Sequence, residues 1–203
     1  MQLFHYHLVT SKVREVEARY IAKLGFRLVA RYGRIGDEQT HYEAGVPWEE
    51  LDRIGFRLRL SELERGAVNV VVQPGQWELP RLDHLGFALD EDEFARVLER
   101  AARLELRVQE YPGRRTFVAT RAGYRVEVHP PRDWIEELLG ERTTMRLAGL
   151  RLKSEDPQAQ ASALAQLFDF VFDQDHVQVG DAFVRFVPGG PPGRPQLDGE
   201  LFA

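Results

Sequence analysis

The chain contains no cysteine, which excludes disulfides, thiolate metal sites and a cysteine nucleophile. It has no apolar run near the ~20 residues needed to span a bilayer. Its first residues lack the basic-then-apolar layout of a secretion signal, so the expectation is a cytoplasmic protein with no membrane partner. Positive charge is not in excess either. The 27 Lys and Arg stand against 32 Asp and Glu, a net charge of −5, and so present no basic field to nucleic acid. Lysine is nearly missing (Lys12, Lys23 and Lys153 only), and Asn69 is the sole asparagine. Such usage fits a thermophilic or GC-rich source and carries no functional information.

What is present is ordinary for a globular chain: 43% apolar and 29% charged over 203 residues, enough for one or two units with a proper core. The informative feature is an internal repeat. "QLFHYHLV" alternates like a strand. It is followed by "SKVREVEARYIAKLGF", a helix with Val13, Val16, Tyr20 and Leu24 on one stripe, Ser11 as its expected N-cap and Gly25 as its stop. Strands at "RLVARYG", "GFRLRLSEL" and "AVNVVVQP" complete the unit.

The second unit repeats this order: "RLDHLGFAL" as strand, "DEDEFARVLERAARLEL" as helix, then "RVQEYPG", "RTFVATRAG" and "YRVEVHP". A short linker helix is expected at "DWIEELLG". A third unit opens with "MRLAGLRLKS" and continues with "DPQAQASALAQLFDF", capped by Asp156 with Pro157 at its first helical position. "FDQDHVQVG", "AFVRFVP" and a short last strand at "DGELFA" follow. The expected boundaries are 1–79, 80–131, 132–142 for the linker and 143–203. The fold class is α+β, built of repeated βαβββ modules, the third degenerate.

The repeat aligns two histidines. His5 lies 19 residues before Leu24, His84 lies 20 before Leu104, and Gly149 lies 19 before Phe168. Unit three therefore keeps the scaffold pattern without the histidine. His7 shares a strand face with His5 and reads as its neighbour, because the count to the helix selects His5. His41 falls in "GDEQTHYEAGVPWEE", which reads as an irregular insertion and a candidate lid. His176 has no matching partner.

These residues resemble the vicinal oxygen chelate superfamily, which includes glyoxalase I, extradiol dioxygenases and bleomycin-resistance proteins. The resemblance spans about residues 1 to 131 and rests on "HYHLVTS", "HLGFALD" and "GYRVEVHPP". It implies two modules whose sheets pair into a cup around a divalent metal, with His5, His84 and Glu127 as ligands. Two imidazoles and one carboxylate make a facial triad with open positions for a chelating substrate. Fe(II) is favoured, with Mn(II), Ni(II) or Zn(II) as alternatives.

Departures from the family pattern limit the chemistry. Matching "VVVQP" to "VEVHP" puts Val71, neither ligand nor base, where glyoxalase-type sites carry a fourth ligand. Phe117 and "TRAG" replace the tyrosine and the turn of extradiol enzymes, and "QEYPGRR" lacks their acid-base histidine.

The leading expectation is a metal-dependent enzyme acting on a small oxygenated molecule, with an extradiol-type dioxygenase as its favoured form. Arg125 would act catalytically by orienting an anionic group through a two-pronged contact. One alternative is a glyoxalase-type lyase or isomerase. The other is a non-catalytic small-molecule-binding protein with Trp77 as an aromatic wall. Unit three has apolar strands at Leu147, Leu150, Phe183, Val184 and Phe186 and no fourth unit to cover them. That predicts a homodimer through unit three.

Overall fold

Nine residues, Gln2–Thr10, form strand β1, and the sheet grows outward from it on both sides. The structure, a computed structural model, describes residues 1–131 and 145–203. The expected linker helix at "DWIEELLG" lies outside the described residues.

After β1 come helix α1 (Val13–Leu24), β2 (Arg27–Ile35), β3 (Glu38–Glu43), helix α2 (Trp48–Arg53), β4 (Phe56–Arg65) and β5 (Val68–Pro74). The second unit is β6 (Arg81–Ala88), α3 (Glu91–Arg103), β7 (Arg107–Tyr111), β8 (Arg115–Ala119) and β9 (Arg125–His129). The third is β10 (Leu147–Lys153), α4 (Pro157–Phe168), β11 (Phe172–Asp173), β12 (His176–Val179) and β13 (Ala182–Val187), with β14 (Gln196–Phe202) after it.

Each unit has the same internal pairing. Its first strand runs parallel to its last, β1 with β5, β6 with β9 and β10 with β13. The first two units join through the antiparallel pair β1–β6. All described strands belong to one sheet, whose core face is covered by α1, α3 and α4.

Local signals explain the helices in part. Gly25 ends α1 in the left-handed region, at φ 69°, where glycine avoids the Cβ penalty. Asp90 and Glu93 form a reciprocal capping box on α3, and Asp156 caps α4 ahead of Pro157. The Ser11 expectation is not met. Helix α1 starts one residue later, with Lys12 at the cap and no side chain capping it. Thr10 Oγ1 instead accepts from the Lys12 backbone N–H at 3.1 Å.

The insertion expected to be irregular is ordered as β3 and α2. Its anchor is Glu17, a buried carboxylate on α1 that accepts from Arg31, Trp48 Nε1 and Ser61 Oγ. Arg31 also lies over the Trp48 ring at 4.1 Å. Four donors around one carboxylate satisfy a charge that would otherwise be too costly to bury.

Unit three does not leave its apolar strands bare. Leu147, Leu150, Val184 and Phe186 are buried, because α4 packs on β12 and β13 and against α3. Phe168 of α4 lies 4.6 Å from the Phe87 ring, and the Tyr124 hydroxyl reaches the Gln160 carbonyl at 3.3 Å. The exposure that predicted a partner chain is thus relieved within one chain. Only Phe183, on the other face, stays half-buried.

A pairing strand is also present. β14 runs antiparallel to β10, as β6 does to β1. Its sequence, "PQLDGELFA", matches "PRLDHLGFA" of β6 at five positions. Unit three therefore has the opening strand of a fourth unit beside it.

Candidate metal centre

The site begins with two irregularities in the β1–β6 ladder. Leu3 pairs with Phe87 but His5 pairs with Gly86, so Phe4 is an extra residue on β1. His7 pairs with His84 but Leu8 with Leu82, so Asp83 is an extra residue on β6. A bulge of this kind re-aims the side chains beside it. Leu3, Tyr6, Leu8, Leu82, Leu85 and Phe87 all join the core under the helices. His5, His7 and His84 are left on the opposite face, with Asp83 beside His84.

On that face three donor atoms converge. His5 Nε2 and His84 Nε2 are 3.0 Å apart, and Glu127 Oε2 lies 2.7 Å from His84 Nε2 and 3.9 Å from His5 Nε2. Two donors bound to one ion at about 2.1 Å and at right angles lie about 3 Å apart. Despite its closeness to His84, Glu127 Oε2 is buried without a hydrogen-bond partner. A buried carboxylate oxygen in that state is costly unless an ion takes it. The donor set therefore fits a divalent metal.

The groups behind the donors are matched to that task. His5 Nδ1 donates to Asn69 Oδ1 at 2.6 Å, and Asn69 Nδ2 donates to Glu62 Oε1 at 2.8 Å. His84 Nδ1 donates to Asp83 Oδ2 at 2.8 Å. Asp83 is also held by Arg125 and by Arg194, the latter at 2.7 Å. Each contact keeps the proton on Nδ1 and leaves Nε2 facing the centre, the arrangement that orients metal-binding imidazoles. Glu127 Oε1 accepts from His129 Nε2 at 2.8 Å.

Electrostatics point the same way. Burial, reinforced by His84, pushes the His5 imidazolium down to about 4, so its nitrogen is neutral and available at pH 7. Burial works to raise the Glu127 carboxyl, but His129 and the neighbouring imidazoles hold it well below the usual carboxylate range. Asp83 is likewise pushed up by burial and brought down further by His84 and Arg125. Both stay ionised.

The other sequence candidates fall as follows. Arg125 is bound to Asp83 and lies 4.5 Å over the Phe117 ring, at the half-exposed margin of the site. His7 is buried beside the triad, its ring 4.7 Å from that of His84. Val71 is buried across from His7. His41 sits on β3 and stacks on Tyr32, and His176 stacks on Phe183; neither is near the cluster. Trp77 is flanked by Arg81 and Arg194, at 4.6 and 5.8 Å from its ring.

Sequence reasoning missed Asn69 and Asp83 as holders of the two imidazoles. Asp83 had a signal, being adjacent to His84 in the chain. The role of Asn69 depends on pairing across β1 and β5, where it stands opposite His5.

No family model matches the chain, and no curated protein sequence does. Solved structures do. A mutant of 4-hydroxymandelate synthase from Streptomyces coelicolor superimposes with a TM-score of 0.62 at 15% identity, over 99% of this chain and 70% of that one. A 2,3-dioxygenase from Pseudomonas sp. KL28 gives 0.59 at 14% identity, over 99% and 74%. A Mn(II)-bound glyoxalase from Novosphingobium aromaticivorans gives 0.52 at 11%, over 97% and 63%. The chain shares the repeated βαβββ fold of these structures. At these identities the likeness fixes architecture alone. The chain spans between 36% and 74% of the length of such structures. Among the described residues, no helix is long and apolar enough to cross a membrane.

Proposed function

We propose that this chain is a metal-dependent enzyme acting on a small molecule that offers two adjacent oxygens. One observation carries the reading: His5 Nε2, His84 Nε2 and Glu127 Oε2 meet on one side of the sheet, the last without a hydrogen-bond partner. A divalent ion held there would supply Lewis-acid stabilisation of negative charge on the substrate oxygens.

The protein's own contributions follow from the contacts. Asn69 and Asp83 fix the tautomers of His5 and His84, so both nitrogens face inward. Burial keeps water from competing for them. Arg125 anchors Asp83 and, from the margin, orients an anionic group of the substrate. Oxygen-dependent ring cleavage with Fe(II) is the form that a three-residue donor set admits. The structural likeness to a glyoxalase supports isomerase or lyase chemistry with Mn(II), Ni(II) or Zn(II) as the second form. A homodimer remains part of the proposal. It now rests on exposed Val171, Phe172 and Leu201 in place of the strand residues that α4 covers, and sedimentation of the full chain checks it.

Elemental analysis of anaerobically purified protein, alongside the His84→Ala variant, tests the reading. About one divalent ion per chain, lost in the variant, supports it. Oxygen uptake with a catechol after Fe(II) loading would select the first form, and hemithioacetal turnover with Ni(II) or Zn(II) the second. Absence of both metal and turnover would leave a sequestering module.

A further inference from the structure

The repeat relates the two halves of the site by a constant offset. His5 corresponds to His84 and His7 to Gly86, each 79 positions on. The ladders agree: Gly86 stands opposite Glu127 in β9, and His7 stands opposite Val71 in β5. Each half therefore has one neighbouring pair beside its histidine. In the second half the pair is Gly86 and Glu127, with the donor on the last strand. In the first it is His7 and Val71, with the donor on the first strand. The donor has crossed the ladder, and the place emptied by Val71 is faced by an imidazole.

His7 behaves as a group awaiting a ligand. The residue is 8% exposed and its Nε2 is buried with no hydrogen-bond partner. Leaving such an atom unsatisfied forfeits its hydration without return. A packing histidine would be expected to find a carbonyl or carboxylate, as His129 does with Glu127. Instead, donor nitrogens of His5, His7 and His84 all lie within 4.8 Å of one another.

We propose that His7 is a fourth protein ligand of the ion assigned above, giving a set of three imidazoles and one carboxylate. This deepens the metal-enzyme reading and rests on it. It also narrows the chemistry. An ion preferring six ligands keeps three places beside a three-residue set, room for a chelating substrate and dioxygen together. Beside four protein donors it keeps two. Two places serve a pair of adjacent substrate oxygens and leave none for dioxygen. The substrate class is then a compound that chelates through two adjacent oxygens, such as an α-hydroxycarbonyl, processed without oxidation.

The test uses the full chain and Zn(II) as the probe. X-ray absorption at the zinc edge should register three imidazoles for the parent protein and two for His7→Ala and His7→Phe. The phenylalanine variant preserves ring volume where alanine threatens folding. Zn(II) affinity by calorimetry should fall at least ~100-fold in both variants, at or beyond the upper end of what outer contacts contribute. Two imidazoles in the parent, or unchanged affinity in the variants, overturns the assignment of His7 and leaves the three-residue site standing. A parent chain that binds none of Zn(II), Mn(II), Ni(II) or Fe(II) overturns the underlying reading instead. Rapid oxygen consumption by the Fe(II)-loaded parent with a catechol refutes the two-place consequence.

Discussion

Two strand pairs in this molecule have one backbone plan and different contents. In β1–β6 the register steps from Leu3/Phe87 to His5/Gly86, and again from His7/His84 to Leu8/Leu82. In β10–β14 it steps from Leu147/Phe202 to Gly149/Leu201, and from Arg151/Gly199 to Leu152/Leu197. The offsets are constant, 144 for the first strands and 115 for the second. Both bulges therefore recur at the same places. The residues on the outer face do not: Gly149, Arg151 and Gly199 replace His5, His7 and His84. A β-carbon at Gly149 would run into the Phe183 ring, so an apolar ring fills that neighbourhood. Core leucines preserve a register because a slip would turn them out of the core. Nothing in the ladder preserves the donors.

The largest expected effect separates the helices of these halves. Glu17 of α1 and Ala161 of α4 are equivalent and both buried. Glu17→Ala would strand the buried Arg31 and cost about 3–5 kcal/mol in urea unfolding, and adding Arg31→Met should recover most of it. A loss below about 1 kcal/mol would mean the ion pair is no more than a surface-strength contact.

Next come the proposed ligands. His84→Ala and Glu127→Ala should lower metal affinity by ~100-fold or more, since even outer-shell changes reach that figure. Arg151→Ala in the second pair should leave it unchanged. A metal lost from Arg151→Ala would break the distinction between the pairs.

Asp83 and Asp198 sharpen it further. Asp83→Asn should weaken metal binding ~10–100-fold by loosening His84. Asp198, its counterpart, is paired with Arg151 and Lys153, and Asp198→Asn should have no effect on calorimetric titration.

The smallest contrast is steric. A methyl at Gly86 would meet His5 Cβ at 2.7 Å, whereas one at Gly199 would meet nothing within 4 Å. Gly86→Ala should cost about 1–3 kcal/mol by overpacking, and Gly199→Ala within ~0.5 kcal/mol. Equal melting temperatures for the two would show that β6 yields where the ladder suggests it cannot.

The repeat, the strand and helix order, and the pairing of His5 with His84 were legible because they rest on periodicity and spacing, which the chain displays directly. Glu127 was legible through its place on a strand end matched by resemblance. The order in the 35–50 insertion was not, because it depends on Glu17 of α1 collecting donors from β2, α2 and β4. Neither was the cover over unit three, since a strand's exposed pattern does not say which helix will lie on it.

By itself, then, the sequence determined the modules, their apolar faces and the residue types available for chemistry, all of which follow from local spacing. Tertiary structure decided the rest. It placed Asn69 behind His5, set Asp83 beside His84 through a bulge, and turned His7 inward opposite Val71. It also laid β14 along β10 in the register of β6 along β1. Each of these depends on which residues stand opposite one another across a ladder, and a single extra residue in either strand is enough to change that.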